Sequence, residues 1–488
     1  MELGVPELDR ILGGGLTRDR FYLIEGTPGT GKTTLALQFL REGLRRGQTC
    51  LYITLSETAN ELRAMAHSHG WSLEGLSLFE LVPLEADPAK QQSLLHPSEV
   101  ELSETTALVM RKVDELRPDR LVIDSLAELR LLAQDALSYR RQILALKQFF
   151  AARQSTVVAL DDLTDRAHSL QLHSVVHGVI SLEQRPMEYG VARRRLSVIK
   201  LRGVEFQSGY HDYVIRRGGV CVFQSLTAAE HQASAEGGTM SSELRELDAL
   251  LGGGLDRGTA TLLIGPSGVG KSSLALRYVM AATRRGERAA MFAFDESYSV
   301  ASKRAAGLGM DIEAAVKSKA LHWERMNPVT LSPGEFTYKV RQQVKAGARL
   351  IVIDSLNSYM ASMPEEQFLT LQMHELVSYL DSQGVVTILI MAQHGLVGNT
   401  ETPLDLSFLS DAIILLRFFE AEGEVRKAIS VLKKRSGTHE QTIREYRLLP
   451  GGLSVGPPIL QFQGVLSGVP TLIGSTRGLL RADGTAER

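Results

Sequence analysis

Cysteine is nearly absent: only Cys50 and Cys221 occur in 488 residues, which excludes a disulfide framework and any four-cysteine zinc module and fits a reducing compartment. An uninterrupted apolar run of about 18 residues, the length needed for a membrane-crossing helix, is missing, as is the charged, apolar and small-residue order of a signal peptide. These absences predict a cytoplasmic protein with no membrane partner. Net charge is also lacking. The 54 basic and 56 acidic residues leave −2, so no global field draws the chain toward nucleic acid. What is plentiful is apolar surface, 44% of residues, enough to build cores without covalent staples. At roughly 150 to 250 residues per domain, the length predicts two or three domains.

Residues 8–39, LDRILGGGLTRDRFYLIEGTPGTGKTTLALQF, and 247–278, LDALLGGGLDRGTATLLIGPSGVGKSSLALRY, share 16 identities in 32 ungapped positions. A period of 239 residues is a duplicated domain, far longer than a solenoid repeat. The pattern predicts a first domain at 1–224, a linker at 225–241 in the small, polar stretch SLTAAEHQASAEGGTMS, a second domain at 242–475 and a tail at 476–488. Apolar runs such as Phe21–Glu25, Cys50–Thr54 and RLVIDS at 120–125 recur as Thr261–Ile264, Ala289–Phe294 and RLIVIDS at 349–355, with alanine- and leucine-rich helical stretches between them. Strands apolar on both faces, separated by helices, predict α/β architecture twice over: two tandem P-loop domains, each a doubly wound, mainly parallel sheet covered by helices on both faces.

GTPGTGKT at 26–33 and GPSGVGKS at 265–272 both satisfy G-x-x-x-x-G-K-[ST] between a strand and a helix. Glycines let the backbone curl so that its N–H groups face an anion, and the helix N-terminus adds its dipole. Gly29, Thr30, Gly31, Lys32, Thr33 and Thr34 are the expected nucleotide-binding residues of the first loop, and Gly268, Val269, Gly270, Lys271, Ser272 and Ser273 those of the second. The expected ligands are ATP and Mg²⁺. The two lysines reach the phosphates, while Thr33 with Asp124, and Ser272 with Asp354, serve the metal. A strand-ending aspartate can instead cap the next helix. A further carboxylate must orient or deprotonate the attacking water; Asp295 and Glu296 qualify in the second copy, Ser56 and Glu57 stand at the aligned positions of the first, and only Glu57 of that pair is an acid. Acids in SETANEL also suit ordinary capping. His173 and His177 are four apart, but no acidic or cysteine ligand pattern accompanies them.

The double P-loop, the LGGGL lead-in, the acidic pair after the second strand, KLRG at 200–203 echoed by KKRS at 433–436, and FQGVLSGVPT at 462–471 resemble the KaiC family of hexameric clock ATPases over nearly the whole chain. The resemblance implies RecA-like domains stacked in two rings, ATP at subunit interfaces, slow hydrolysis, and serine/threonine autokinase activity in the second ring. By the same resemblance, Glu57, Asp295 and Glu296 are catalytic acids, Lys200, Arg202, Lys433 and Arg435 approach the phosphate of a neighbouring subunit, and Gln393 is similar to a γ-phosphate-sensing glutamine. Ser407 falls on the family's serine acceptor and Phe408 on its threonine, with Thr402 a second candidate. The expected partners are further copies of the chain, in a hexamer, and signalling proteins. The competing reading is a DNA-dependent RecA/RadA-like ATPase of recombination or repair; the balanced charge and the lack of a basic, aromatic-interleaved loop speak against it.

Overall fold

A computed structural model describes residues 1–81, 97–133, 135–163, 172–187, 190–226, 237–361, 368–393, 407–421, 423–460, 462–463 and 471–472. Thr402, the tail at 476–488 and most of the expected linker lie outside these residues. The chain divides into two compact units, Met1–Ser225 and Leu226–Arg488.

The first unit is built on β1 (Phe21–Gly26), β2 (Cys50–Thr54), β3 (Ser77–Glu80), β4 (Arg120–Asp124), β5 (Thr156–Asp162), β6 (Gly178–Arg185), β7 (Arg193–Leu201), β8 (Tyr210–Arg216) and β9 (Gly219–Phe223), in the sheet order β3-β2-β4-β5-β1-β6-β7-β8-β9. The strands from β3 to β6 run parallel, and β7 to β9 continue the sheet as antiparallel hairpins. The central strands are buried along their length, so alternate residues serve opposite cores. Ile24, Tyr52 and Val158 pack with Leu35 and Phe39 on one face, whereas Leu23, Ile53 and Val157 pack with Ile143 and Phe150 on the other. This two-sided burial is why the runs carry no polar alternation.

The second unit repeats the plan. A short ribbon pairs β10 (Thr239–Met240) with β11 (Leu255–Asp256). The main sheet comprises β12 (Ala260–Gly265), β13 (Arg288–Ala293), β14 (Leu321–Arg325), β15 (Ala348–Asp354), β16 (Val386–Ala392), β17 (Ala412–Ala421), β18 (Glu424–Lys434), β19 (Arg444–Leu449) and β20 (Gly452–Pro458), ordered β14-β13-β15-β16-β12-β17-β18-β19-β20. Each position corresponds to one in the first sheet. Met240, at the end of the span read as a linker, is fully buried against Leu247 and Leu255, because one apolar side chain in a polar stretch suffices to anchor an edge ribbon.

Candidate functional site

Both P-loops sit at the C-terminal ends of central strands. Gly26 ends β1 level with Asp162 and Leu182, and Gly265 ends β12 level with Ala392. Gly31 and Gly270 take φ of +92° and +114°, the left-handed region that turns the loop into the helices Lys32–Arg45 and Lys271–Arg284. A Cβ on Gly31 would stand 2.5 Å from Ile215 Cδ1. Neither helix receives a side-chain cap, so its first N–H groups stay available to an anion. Lys32 Nζ donates to the carbonyls of Gly26 (2.8 Å) and Thr27 (3.2 Å), and Lys271 Nζ to those of Gly265 (2.7 Å) and Pro266 (2.8 Å). Burial pushes Lys271 down to about 8, with Asp354 opposing the shift.

Asp124 and Asp354 stand beside the loops rather than capping helices. Thr33 Oγ1 donates to Asp124 Oδ2 at 3.1 Å, and Asp354 is hydrogen-bonded by the Ser272 side chain. The helix Leu126–Leu131 has Ser125 as its N-cap with no side-chain cap, so the capping role left open by the sequence is not taken. Burial raises both aspartates above the ordinary carboxylate range, and these hydrogen bonds oppose the rise. A hydroxyl and a carboxylate side by side form a hard-oxygen donor set that suits Mg²⁺.

The acids at the ends of β2 and β13 differ between units. Thr58 and Glu61 form the capping box of the helix Ala59–Ser68, which leaves Glu57 outside it. Glu57 Oε2 is buried with no hydrogen-bond partner among the described residues, and burial, then the charges of Asp124 and Glu61, raise its proton affinity. Ser56 is exposed. In the second unit Asp295 accepts hydrogen bonds from Ser355 (2.8 Å) and Ser358 (2.5 Å), while Glu296 is ion-paired with Arg304 at 2.5 Å. Arg304 also donates to Ser273 Oγ at 2.8 Å, tying this glutamate to the P-loop helix. Met65 aligns with Arg304 in the first unit, which is why Glu57 lacks the corresponding partner.

Lys200, Arg202, Lys433 and Arg435 lie at the opposite end of the sheets from the P-loops of their own units. The Arg202 N–H donates to His177 O, and the His177 N–H to Phe21 O, so Arg202 is level with the start of β1. Arg435 reaches the start of β12 through Asp411 in the same way. Five residues of strand, about 16 Å, separate those levels from Gly26 and Gly265. Lys200 Nζ donates to Val176 O at 2.9 Å and Arg202 Nη2 to Ser174 O at 2.9 Å. Lys433 Nζ donates to Ser410 O at 2.7 Å, and Arg435 pairs with Asp411 at 3.3 Å. Burial, then the surrounding cations Lys147, Arg20, Arg202 and Lys200, depress His177 to about 4, and no carboxylate among the described residues is ion-paired with these four cations. His173 bonds to Glu25 Oε2 at 2.8 Å, and no metal-binding cluster of His, Cys, Asp and Glu occurs among the described residues.

Gln393, just past β16, anchors its N–H on Gly265 O at 3.1 Å and leaves its buried Oε1 without a partner among the described residues. Ser407 begins the 3₁₀ turn Ser407–Leu409, just before Asp411. Sequence reasoning missed several positioning contacts. The Tyr213 hydroxyl donates to Thr30 O at 2.6 Å, and the Tyr446 hydroxyl donates to Val269 O, so a buried tyrosine from the penultimate strand braces each loop. Internal alignment of YVIRRGGV with YRLLPGGL would have found the pair. Tyr52, which donates to Asp124 Oδ2 at 2.5 Å, and Asp162, which pairs with Lys32 at 2.6 Å, carry no such signal because Met291 and Ala392 replace them in the second unit.

Two P-loops, each at the C-terminal edge of a mainly parallel sheet with a strand-ending aspartate beside it, define a tandem RecA-like P-loop ATPase. The family description "ATPase: KaiC" matches residues 1–227 and 240–459, and the chain belongs to that family. The chain is 26% identical to the circadian clock protein KaiC3 of Synechocystis sp., covering 96% of this chain and 94% of that one. It is 27% identical to the circadian clock oscillator protein KaiC of Picosynechococcus sp. (96% and 92% covered) and 26% identical to that of Parathermosynechococcus lividus (97% and 88%). No helix among the described residues is long and apolar enough to cross a membrane.

Proposed function

We propose that the protein binds and hydrolyses ATP at both P-loops as a cytoplasmic double-ring homohexamer, in which each nucleotide is completed by cations of the adjacent subunit. The observation that carries this reading is the placement of Lys200, Arg202, Lys433 and Arg435 at the far end of each sheet, where they are remote from their own P-loop. Cations clustered without ion-paired acids among the described residues, as in the first unit, attract an anion from outside the unit. The γ-phosphate of a neighbour's nucleotide is such an anion.

Thr33 with Asp124, and Ser272 with Asp354, would hold Mg²⁺, which when bound neutralises charge on the phosphates. Lys32 and Lys271 bind the phosphates, and the uncapped helix termini add their N–H groups. In hydrolysis the water oxygen bonds to the γ-phosphorus, the bridging P–O bond to ADP breaks, and Glu57 or Asp295 accepts the water proton. Ser355 and Ser358 hold Asp295 in place for that role, and Gln393 Oε1, beside the second loop, has no hydrogen-bond partner among the described residues. Arg202→Ala and Arg435→Ala should each lower turnover of the affected unit by about 10²- to 10³-fold, as the loss of one transition-state donor does. Light scattering with and without Mg-ATP should show nucleotide-dependent assembly, because a ligand completed at an interface stabilises that interface by mass action. Variants that assemble and hydrolyse like the wild type would refute the role in trans.

The acceptor segment follows the same logic. Ser407 precedes Asp411, whose N–H donates to Ala260 O at the start of β12, so the turn Ser407–Leu409 leads into the end of the second sheet remote from its own P-loop. We infer that Ser407, with Thr402 as second acceptor, takes the γ-phosphoryl group of a neighbour's ATP, and that the modified ring signals to protein partners. Phe408 offers no nucleophile, so a two-site cycle on adjacent residues is excluded. Phosphopeptide mapping after incubation with Mg-ATP should find phosphate on Ser407, lost in Asp295→Asn. ATP turnover with an unmodified 402–411 peptide would leave a plain ATPase.

A further inference from the structure

The two P-loop lysines differ in one respect that the motif does not show. Asp162 ends β5 level with Gly26, and its Oδ1 lies 2.6 Å from Lys32 Nζ, inside the mouth of the first loop. The second unit has Ala392 at the same register, level with Gly265. Lys271 there donates to carbonyls of its own loop and is ion-paired with no carboxylate among the described residues. Lys32 is 9% exposed and Asp162 33%, so the pair is reached by solvent from the acid's side only. Asp162 also adds a like charge that raises the proton affinity of Asp124, after burial.

We propose that Asp162 is an affinity-setting residue of the first nucleotide site: its carboxylate holds the lysine that the incoming phosphate must take, so the first site binds ATP more weakly than the second. This rests on the reading that both loops bind nucleotide. At the second loop a polyphosphate meets a buried cation with no ion-paired carboxylate among the described residues. At the first it must either displace Asp162, losing a charge-assisted hydrogen bond, or share one cation with it at the cost of repulsion between two anions. Exchanging that contact for solvent is worth about tenfold in affinity.

Titration of the full-length chain with a non-hydrolysable ATP analogue in the presence of Mg²⁺ tests the inference, with Lys271→Ala as background so that only the first site is read. Asp162→Ala and the isosteric Asp162→Asn should each tighten binding by about tenfold. The reciprocal Ala392→Asp, in a Lys32→Ala background, should weaken the second site by a similar factor, which keeps the test sound if the first-site variants fold poorly. Unchanged or weakened binding in the Asp162 variants overturns the proposal, and weakening that is confined to Mg²⁺-containing buffer would reassign Asp162 to the metal. Loss of nucleotide in Lys32→Ala checks the underlying reading separately: if that variant binds as many analogues per chain as the wild type, Lys32 holds no nucleotide and the reading of the first loop fails independently of Asp162.

Discussion

Lys271→Ala is expected to remove one bound nucleotide per chain, leaving stoichiometry near one, and Lys32→Ala to do the same for the other site. Each lysine is buried beside its loop and donates to loop carbonyls that a phosphate would replace as acceptor. Truncation removes the only cation that the loop itself brings to the phosphates, a loss of at least about 10²-fold in affinity. The second site should carry a pH signature as well. Burial pushes Lys271 down to about 8 in the absence of nucleotide, and a bound phosphate must raise it. The sign follows from linkage: binding is at full strength below about pH 8, where the lysine is already protonated, and weakens as pH rises above it because a proton must then be taken up. Equilibrium dialysis across that range should show the decline at the second site in a Lys32→Ala background. A wild type that binds one nucleotide would refute the tandem reading.

Asp295→Asn is expected to lower ATP turnover of the second unit by about 10²- to 10⁴-fold, the usual worth of a positioned general base, while Ser56→Ala leaves the first unit nearly unchanged. The asymmetry follows from the partners of each acid. Asp295 is oriented by two serine hydroxyls, whereas Glu296 is engaged by Arg304 and serves the P-loop helix. In the first unit Glu57 has an oxygen with no hydrogen-bond partner among the described residues and a proton affinity raised by burial, the properties of a base that awaits its proton. Glu57→Gln should therefore be the damaging change there. Single-turnover assays in Lys32→Ala and Lys271→Ala backgrounds separate the two units; a severe loss in Ser56→Ala would contradict this account.

Much of the architecture was legible because its signals are local. A run such as Leu121-Val122-Ile123 ending in Asp124, or a glycine loop between a strand and a helix, encodes its conformation within a few residues, and the duplication let each half corroborate the other. The KaiC family resemblance rested on the same short motifs. The ribbon that secures Met240 was less legible, since one buried side chain in a polar stretch produces no periodicity.

The sequence by itself determined that the P-loop motif occurs twice, that each copy has an apolar run ending in aspartate, and that the first has Ser56 where the second has Asp295. Only the tertiary structure decided which groups meet. Lys32 finds Asp162 because β5 returns beside β1 after a crossover, and Glu296 finds Arg304 because one helical stretch folds back over the P-loop helix. Such contacts join residues through strand order and register, which no short stretch of sequence specifies, and they are what make two nearly identical loops chemically different.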